Sequence, residues 1–206
     1  MRVTGGEFCG RILKVPKTDA VRPTQDRVRQ ALFNIIQSEV PGADFLDLFA
    51  GSGAVGIEAL SRGAKSATFV EQDRRHMAVL KENLSALRVT TANCVIADVY
   101  RWIAAYSGPG FSVVYADPPY ALGEEKGYAS VLETLASRGV VRPGGLFAAE
   151  MTAVQSAADA PRWELIRDRS RRFPFSESIS PRSSNIARSS SSSDTRMPSS
   201  TRRYSR

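Results

Sequence analysis

The segment best suited to ligand binding is glycine-rich and follows an apolar run. It reads DLFAGSGAVG over residues 47–56, and acidic Glu71 comes twenty residues after Gly51. Glycines such as Gly51 and Gly53 let the backbone turn sharply and approach a ligand where a strand ends and a helix begins. An acidic side chain ending the next strand can accept hydrogen bonds from both hydroxyls of a ribose. Taken alone, this is the fingerprint of dinucleotide-binding proteins, so a nicotinamide-dependent oxidoreductase is one interpretation.

Two details favour S-adenosylmethionine over a nicotinamide dinucleotide. Asp47 lies inside the first predicted strand, four residues before Gly51. An anionic group at that position suits a ligand that carries an ammonium and a sulfonium. The second detail is the segment DPPY (117–120), directly after the apolar run 113–116. Because proline fixes φ and lacks a backbone donor, this segment is a rigid pocket wall at a strand end.

The DPPY segment suits the binding of an exocyclic amino group. Asp117 and the carbonyl of Pro118 can both accept hydrogen bonds from an NH2 group, which orients the nitrogen lone pair toward a methyl donor. Tyr120 can stack on a base and hold it after it leaves its helix. The segment could instead be a structural turn that ends a helix. Its position at the strand end, where α/β sheets bind ligands, favours the binding interpretation.

A further candidate pair follows the third predicted strand. Asp98 can accept a hydrogen bond from an adenine amino group while Val99 packs against the ring. Asp98 can equally be the N-cap of the helix that contains Trp102 and Ile103. The sequence holds no Cys and His cluster of the kind that predicts a metal site.

Strands and helices alternate around these residues, which is typical of a doubly wound α/β fold with a mainly parallel sheet. A Gly-turned hairpin is predicted over residues 2–15. The five main strands are predicted at 45–49, 67–70, 94–97, 113–116 and 146–149, with another at 163–167. An amphipathic helix is predicted from Thr24, and its apolar face would contain Val28, Ala31, Leu32, Ile35 and Ile36.

The net charge of +7 is concentrated at the C-terminal end. Residues 1–166 hold 18 Lys and Arg against 18 Asp and Glu, whereas residues 167–206 hold 10 Arg against 3 acids. Fourteen of the last forty residues are Ser, and such a composition buries too little apolar surface to offset chain entropy. We therefore predict a methyltransferase domain over 1–168, with an N-terminal hairpin and helix extension over 1–40. The tail 169–206 is predicted to be disordered or non-native, which would leave the sheet without its last strand.

Three segments together resemble a known family: RPTQDRVRQALFN (22–34), DLFAGSG (47–53) with Glu71, and DPPY (117–120). Over about residues 2–167 the chain is similar to the bacterial small-subunit (16S) rRNA guanine-N2 methyltransferases of the RsmD type. The resemblance implies a Rossmann-like class I methyltransferase fold. It also implies S-adenosylmethionine-dependent methylation of a guanine 2-amino group in 16S rRNA of the small ribosomal subunit. The family normally ends with an Arg-x-Tyr-Gly-x-Thr stretch and an apolar strand, in whose place this chain has the Ser-rich tail.

The resemblance also implies roles for individual residues. The matching cofactor contacts are Asp47, Gly51, Gly53, Glu71 and Asp98, with Val99 beside it. The matching catalytic residues are Asp117, Pro118 and Tyr120. The matching RNA contacts are Arg22, Thr24, Arg27 and Arg29.

The expected setting is the cytoplasm, with ribosomal RNA or the small subunit as partner and no membrane. No apolar run approaches the roughly 18–20 residues that span a bilayer. We expect a monomer. Two other functions share parts of the pattern. An adenine-N6 DNA methyltransferase uses the same DPPY chemistry, although the short chain shows no target-recognition domain. A non-catalytic RNA-binding module with a basic tail would bind RNA in a salt-sensitive manner without methyl transfer.

Overall fold

The computed structural model describes residues 1–16, 23–117, 128–152, 163–170 and 182–189. The helices in these ranges are α1 (Pro23–Ile35), α2 (Ala54–Ser61), α3 (Arg74–Ala86), α4 (Val99–Ala105) and α5 (Tyr128–Ser137). The strands are β1 (Asp44–Leu48), β2 (Ser66–Glu71), β3 (Ala92–Ile96), β4 (Phe111–Ala116), β5 (Val141–Thr152), β6 (Trp163–Ser170) and β7 (Arg182–Ser189). Within the same ranges, no helix has the length and apolar character needed to cross a membrane.

These strands form one sheet in the order β3-β2-β1-β4-β5-β7-β6. The five strands from β3 to β5 pair in parallel, whereas β7 pairs antiparallel with both β5 and β6. The predicted α/β fold with a mainly parallel sheet is confirmed. The winding direction reverses between β1 and β4, because β2 and β3 lie on one side of β1 and the later strands on the other. At such a switch point, α/β proteins bind ligands at the carboxyl ends of the strands.

Apolar side chains cover both faces of the parallel strands, because successive residues of a strand point to opposite sides. On one face, Phe33 of α1 and Leu80 of α3 belong to the same buried cluster as Phe45 of β1. On the other face, Leu46 of β1 belongs to a cluster with Leu135 of α5. This two-sided burial explains why the strands read as continuous apolar runs rather than as an alternating pattern. It also holds the strand ends, where the site lies, in fixed positions.

The N-terminal hairpin is present as predicted. The N–H of Val3 donates to the carbonyl of Arg11 at 3.0 Å, and the N–H of Leu13 donates to the carbonyl of Met1 at 2.9 Å. An antiparallel bridge pairs Arg2 with Ile12 between them.

The predicted amphipathic helix is α1, which begins at Pro23, one residue before the expected start at Thr24. Proline suits the first turn of a helix because the N–H there has no partner within the helix. Leu32 and Ile36 are buried as predicted, and Phe33 between them is also fully buried. The buried face of α1 is therefore wider than the apolar spacing indicated.

The prediction of a missing last strand is wrong. Arg182–Ser189, inside the predicted tail 169–206, forms β7 and lies between β5 and β6. Its register sets Ile186 opposite Ala148 of β5. Composition could not reveal this strand, because a β-ladder is made of backbone groups that every non-proline residue carries. The neighbouring β6 extends to Ser170, beyond the domain boundary predicted at residue 168.

We expect Ile186→Pro to destabilise the protein, because proline cannot donate a ladder hydrogen bond and β7 has a partner on each side. The free energy of unfolding should fall by about 2 kcal/mol or more, measured by urea denaturation followed by circular dichroism. Ile186→Val keeps a β-branched side chain and serves as the control, with an expected loss below about 1.5 kcal/mol. Equal stability of the proline variant and the wild type would show that β7 does not contribute to the folded sheet.

Candidate active site

The loop between β1 and α2 has a left-handed backbone at three positions. The φ angle is 62° at Phe49, 55° at Gly51 and 85° at Gly53. A Cβ atom at Gly53 would lie 2.1 Å from the side-chain atom Cδ1 of Leu80, and the left-handed φ itself favours glycine there. A Cβ atom at Gly51 would meet no described atom within 4 Å. On its Gly51 side, the glycine loop, residues 49–53, therefore has no close neighbour among the described residues.

Asp47 lies in β1 just before the glycine loop and is 1% exposed. The N–H of Gly56 in α2 donates to its Oδ2 at 2.8 Å. The pKa of Asp47 is raised to about 7, and burial is the largest cause. The hydrogen bond from Gly56 lowers the pKa, and the charges of Asp117 and Glu71 contribute to raising it. A nearby cation would favour the ionised carboxylate. The side chain therefore supports the start of α2 and favours a positively charged ligand.

Glu71 ends β2, and both of its carboxylate oxygens hold backbone groups. Oε2 accepts from the N–H of Gly51 at 2.8 Å, and Oε1 accepts from the N–H of Asp73 at 2.8 Å. Each carboxylate oxygen has a second lone pair that can accept from a ligand hydroxyl. The structure thus brings Glu71 to the glycine loop. Its predicted contact with a ribose fits this position and stays a prediction.

Asp98 follows β3 and caps α4. The N–H of Arg101 donates to its Oδ1 at 2.9 Å, the geometry expected of an N-cap. Of the two interpretations that the sequence allowed, the capping role is therefore observed, and contact with an adenine amino group stays a prediction. Val99 is 3% exposed and belongs to the buried cluster on the α4 side of the sheet. Its side chain serves the core, which does not support packing against a ligand ring.

Asp117 is the first residue after β4, at the same edge of the sheet. Leu48 of β1 pairs with Ala116 of β4, so Asp117 lies beside Phe49, where the glycine loop begins. The charge of Asp117 also contributes to the raised pKa of Asp47, which reflects the proximity of the two carboxyls. Pro118 and Tyr120 lie outside the described residues, and their roles stay predictions.

Four neighbouring strands thus bring acidic residues to one edge of the sheet. The order β3, β2, β1, β4 sets Asp98 and Glu71 on one side of the glycine loop and Asp117 on the other. Carboxylates around a glycine-rich turn at a switch point suit an organic ligand with positive charge and ribose hydroxyls. This arrangement is the candidate active site.

Two aromatic residues beside the glycine loop were missing from the predicted site. The ring centroids of Phe49 and Tyr100 lie 5.8 Å apart with an interplanar angle of 65°, an edge-to-face contact. The left-handed φ of Phe49 is costly for a residue with a Cβ atom, and such conformations cluster at functional sites. The available signal was the position of Phe49 inside the DLFAGSG segment, but its backbone conformation is not visible in the sequence.

The predicted RNA contacts differ in their exposure to solvent. Arg27 is exposed on α1. Arg29 is only 4% exposed, and its Nε donates to Oε2 of Glu58 at 3.3 Å. Internal partners hold its guanidinium inside the fold, which does not support the predicted RNA contact of Arg29. The side chains of Arg22 and Thr24 lie outside the described part of the chain.

Comparison with protein families places these features in a known context. The model of the family described as "Conserved hypothetical protein 95" matches residues 1–172. The chain is 42% identical over 123 residues to "Ribosomal RNA small subunit methyltransferase D" of Escherichia coli (strain K12), covering 60% of this chain and 62% of that protein. It is 30% identical over 172 residues to the protein of the same name in Haemophilus influenzae, covering 82% of this chain and 88% of that protein. The match therefore spans less than two thirds of the Escherichia coli relative.

Solved structures show the same fold. A putative methyltransferase from Escherichia coli superposes with a TM-score of 0.76 at 28% identity, covering 93% of this chain and 98% of that chain. A putative methylase from Haemophilus influenzae gives a TM-score of 0.72 at 27% identity, covering 92% and 98%. The Rossmann-like architecture of methyltransferases is therefore shared along most of the chain.

The pKa of Asp47 makes stability depend on pH. Because its folded-state pKa is raised from 3.8 to about 7, the stability linked to its protonated form is fully present below about pH 4 and is lost as the pH rises through about 7. Asp47→Asn keeps an oxygen acceptor for the N–H of Gly56 but cannot ionise. The free energy of unfolding of the variant relative to the wild type should therefore increase from about pH 4 to about pH 8, by on the order of a few kcal/mol.

Urea denaturation of both proteins across this range, without ligand, measures the difference. Asp44→Asn, also in β1 but only partly buried, is the control measured in parallel. If the difference in unfolding free energy between Asp47→Asn and the wild type stays constant with pH, the raised pKa of Asp47 is contradicted.

Proposed function

Because this chain belongs to the family described as "Conserved hypothetical protein 95", we propose that it is an S-adenosylmethionine-dependent methyltransferase that acts on ribosomal RNA. The observation that carries the proposal is the set of carboxylates from β1, β2 and the end of β4 around the glycine loop. The names of the relatives, which specify small-subunit ribosomal RNA, support the substrate class.

The residues at the strand ends fit the cofactor. Asp47 provides negative charge for its ammonium and sulfonium groups, and Glu71 provides acceptors for its ribose hydroxyls. No atom of the described ranges lies within 4 Å of a Cβ position at Gly51, which leaves room for a ligand to approach the backbone. Asp98 is proposed to accept from the adenine amino group. When bound, S-adenosylmethionine supplies an electrophilic methyl group.

We assign to Asp117 the binding of the amino group that receives the methyl. The lone pair of an aromatic amine is delocalised into its ring, so acceptors that favour a pyramidal nitrogen lower the barrier. Asp117 and the carbonyl of Pro118 are the proposed acceptors, and Tyr120 is proposed to stack on the base. Asp117 takes the proton late, after the nitrogen has become positively charged. Most of the catalysis is then positioning and electrostatic stabilisation.

The finer proposal is that the target is the 2-amino group of a guanine in 16S rRNA of the small ribosomal subunit. It is supported by the resemblance of residues 22–34, 47–53 and 117–120 to the guanine-N2 family, whereas the relatives' names specify no base. A monomer suffices, because one chain carries every residue proposed for the site.

RNA contact is assigned to the N-terminal segment, residues 1–30. This segment holds seven Lys and Arg against three acids, whereas residues 31–166 hold eleven against fifteen. RNA phosphates favour a cationic surface. Arg27, which is exposed on α1, is proposed to contact RNA together with Arg22 and Thr24.

Methyl transfer tests the function directly. The protein and radiolabelled S-adenosylmethionine should label small ribosomal subunits taken from cells that lack this activity, and digestion of the RNA should release N2-methylguanosine. Subunits from cells that have the activity are the control and should accept little label, because their target is already methylated. Label in N6-methyladenine of duplex DNA would favour the DNA methyltransferase alternative. RNA binding without transfer would favour the non-catalytic module.

Two substitutions should separate the roles of the carboxylates. Asp117→Asn should lower kcat at least about 100-fold, since it removes the proton acceptor, while leaving the Kd for S-adenosylmethionine within about 3-fold. Glu71→Gln should weaken that Kd by about 5- to 30-fold, the cost of a lost charged hydrogen-bond partner, with a smaller effect on kcat at saturating cofactor. Calorimetry and single-turnover assays measure the two quantities. A loss of cofactor affinity in Asp117→Asn as large as its loss of rate would refute the assignment to the target amine.

A further inference from the structure

Glu58 in α2 is a carboxylate with 0% exposure that belongs to none of the segments predicted to do chemistry. Nε of Arg62 donates to its Oε1 at 2.8 Å, and Nε of Arg29 donates to its Oε2 at 3.3 Å. Thr4 of the hairpin adds its N–H to Oε2 at 2.8 Å and its hydroxyl to Oε1 at 2.7 Å. One side chain therefore joins the hairpin, α1 and α2.

The two arginines extend this junction, which comprises Glu58, Thr4, Arg29 and Arg62. Nη2 of Arg62 donates to Oγ1 of Thr4 at 3.1 Å, and its guanidinium lies 5.1 Å from the ring centroid of Phe33 in α1. Arg29 also donates to the backbone carbonyl of Arg2 in the hairpin. A buried charge with this many donors is well compensated, and removing the charge leaves the donors without a partner.

The hairpin also presses against the C-terminal end of α2. The N–H of Glu7 donates to the carbonyl of Ser61 at 2.7 Å, and the N–H of Phe8 donates to Oγ of Ser61 at 2.8 Å. Gly6 has a φ of 77°, and a Cβ atom there would lie 1.8 Å from that carbonyl oxygen. The backbones of the hairpin and of α2 are in contact, which fixes the position of the hairpin on α2.

Helix α2 connects this contact with the hairpin to the candidate active site. It begins next to the glycine loop, where the N–H of Gly56 donates to Asp47, and it ends at Ser61 against the hairpin. Its eight residues form a spacer of about 12 Å at 1.5 Å per residue. The cationic N-terminal segment is therefore held at a fixed distance from the loop proposed to bind the cofactor.

We propose that Glu58 is a positioning residue for RNA: it sets the hairpin and α1 relative to the active site and so governs RNA affinity without touching the RNA. The inference rests on the proposed function, because it concerns how that function holds its substrate. The proposal predicts a loss of RNA affinity alone, whereas a merely structural role would lower RNA affinity and cofactor affinity together.

The chain contains a matched control for this idea. Nζ of Lys14 in the hairpin lies 2.8 Å from Oε2 of Glu82 in α3, with side chains 69% and 56% exposed. This ion pair also joins the N-terminal segment to the sheet body, but exposed pairs contribute little to stability. Glu82→Gln therefore removes a charge of the same kind without disturbing the junction.

The experiment compares Glu58→Gln, Glu82→Gln and the wild type. Glu58→Gln should weaken binding of small-subunit RNA, and raise its KM, by about 10-fold or more, while kcat at saturating RNA and the Kd for S-adenosylmethionine stay within about 3-fold. Hydrogen exchange at the N–H of Thr4 should accelerate in the same variant, since its acceptor is weakened. Glu82→Gln should match the wild type in all five quantities.

Equal RNA affinity of Glu58→Gln and the wild type would overturn the proposal, and so would a parallel loss of RNA and cofactor affinity. If Glu58→Gln fails to fold, Thr4→Val takes its place, because it removes the hydroxyl and leaves the buried charge with its arginines. It should raise the RNA Kd by about 3-fold or more at unchanged cofactor Kd, and an unchanged RNA Kd would overturn the proposal. RNA affinity is measured by filter binding without turnover. A wild type that binds RNA but transfers no methyl would therefore count against the proposed function alone.

Discussion

The backbone N–H groups around the glycine loop are held by carboxylates from β1, which leads into the loop, and from the neighbouring strand β2. Oδ2 of Asp47 accepts from Gly56, and Oε2 of Glu71 accepts from Gly51, both at 2.8 Å. These bonds fix the loop that contains the left-handed residues Phe49, Gly51 and Gly53. A loop oriented before its ligand arrives does not lose further chain entropy on binding. The two acids are thus structural supports and candidate ligand contacts at once.

This dual role has an energetic consequence that is visible in Asp47. Desolvation disfavours its charge and raises its pKa to about 7, because the hydrogen bond from Gly56 compensates only part of the burial. Such a group is poised to respond to a cation, which restores the ionised form. The rigid sheet makes this possible, since apolar clusters on both faces hold β1 and β4 in register and keep Asp47 near Asp117.

The junction at Glu58 attaches the hairpin to the rest of the domain. The hairpin is short and has no large core of its own. A buried charge is costly, but breaking a compensated one costs about 3–5 kcal/mol, whereas an exposed pair such as Lys14 with Glu82 contributes about 0–1 kcal/mol. The buried network therefore determines where the hairpin sits, and the exposed pair does not. Gly6 adds a steric constraint to the electrostatic one, because its backbone contacts Ser61 directly.

The sequence by itself determined those features that depend on local patterns of residues along the chain. The alternation of strands and helices and the glycines after β1 predicted the fold class. The same pattern predicted the edge of the sheet at which Glu71 and Asp117 lie. Only the tertiary structure decided what depends on remote partners. Arg29 looked like a surface cation until Glu58, twenty-nine residues away, was seen to bury it. The strand Arg182–Ser189 was hidden because composition reports apolar burial, whereas its place in the sheet comes from backbone pairing with β5 and β6.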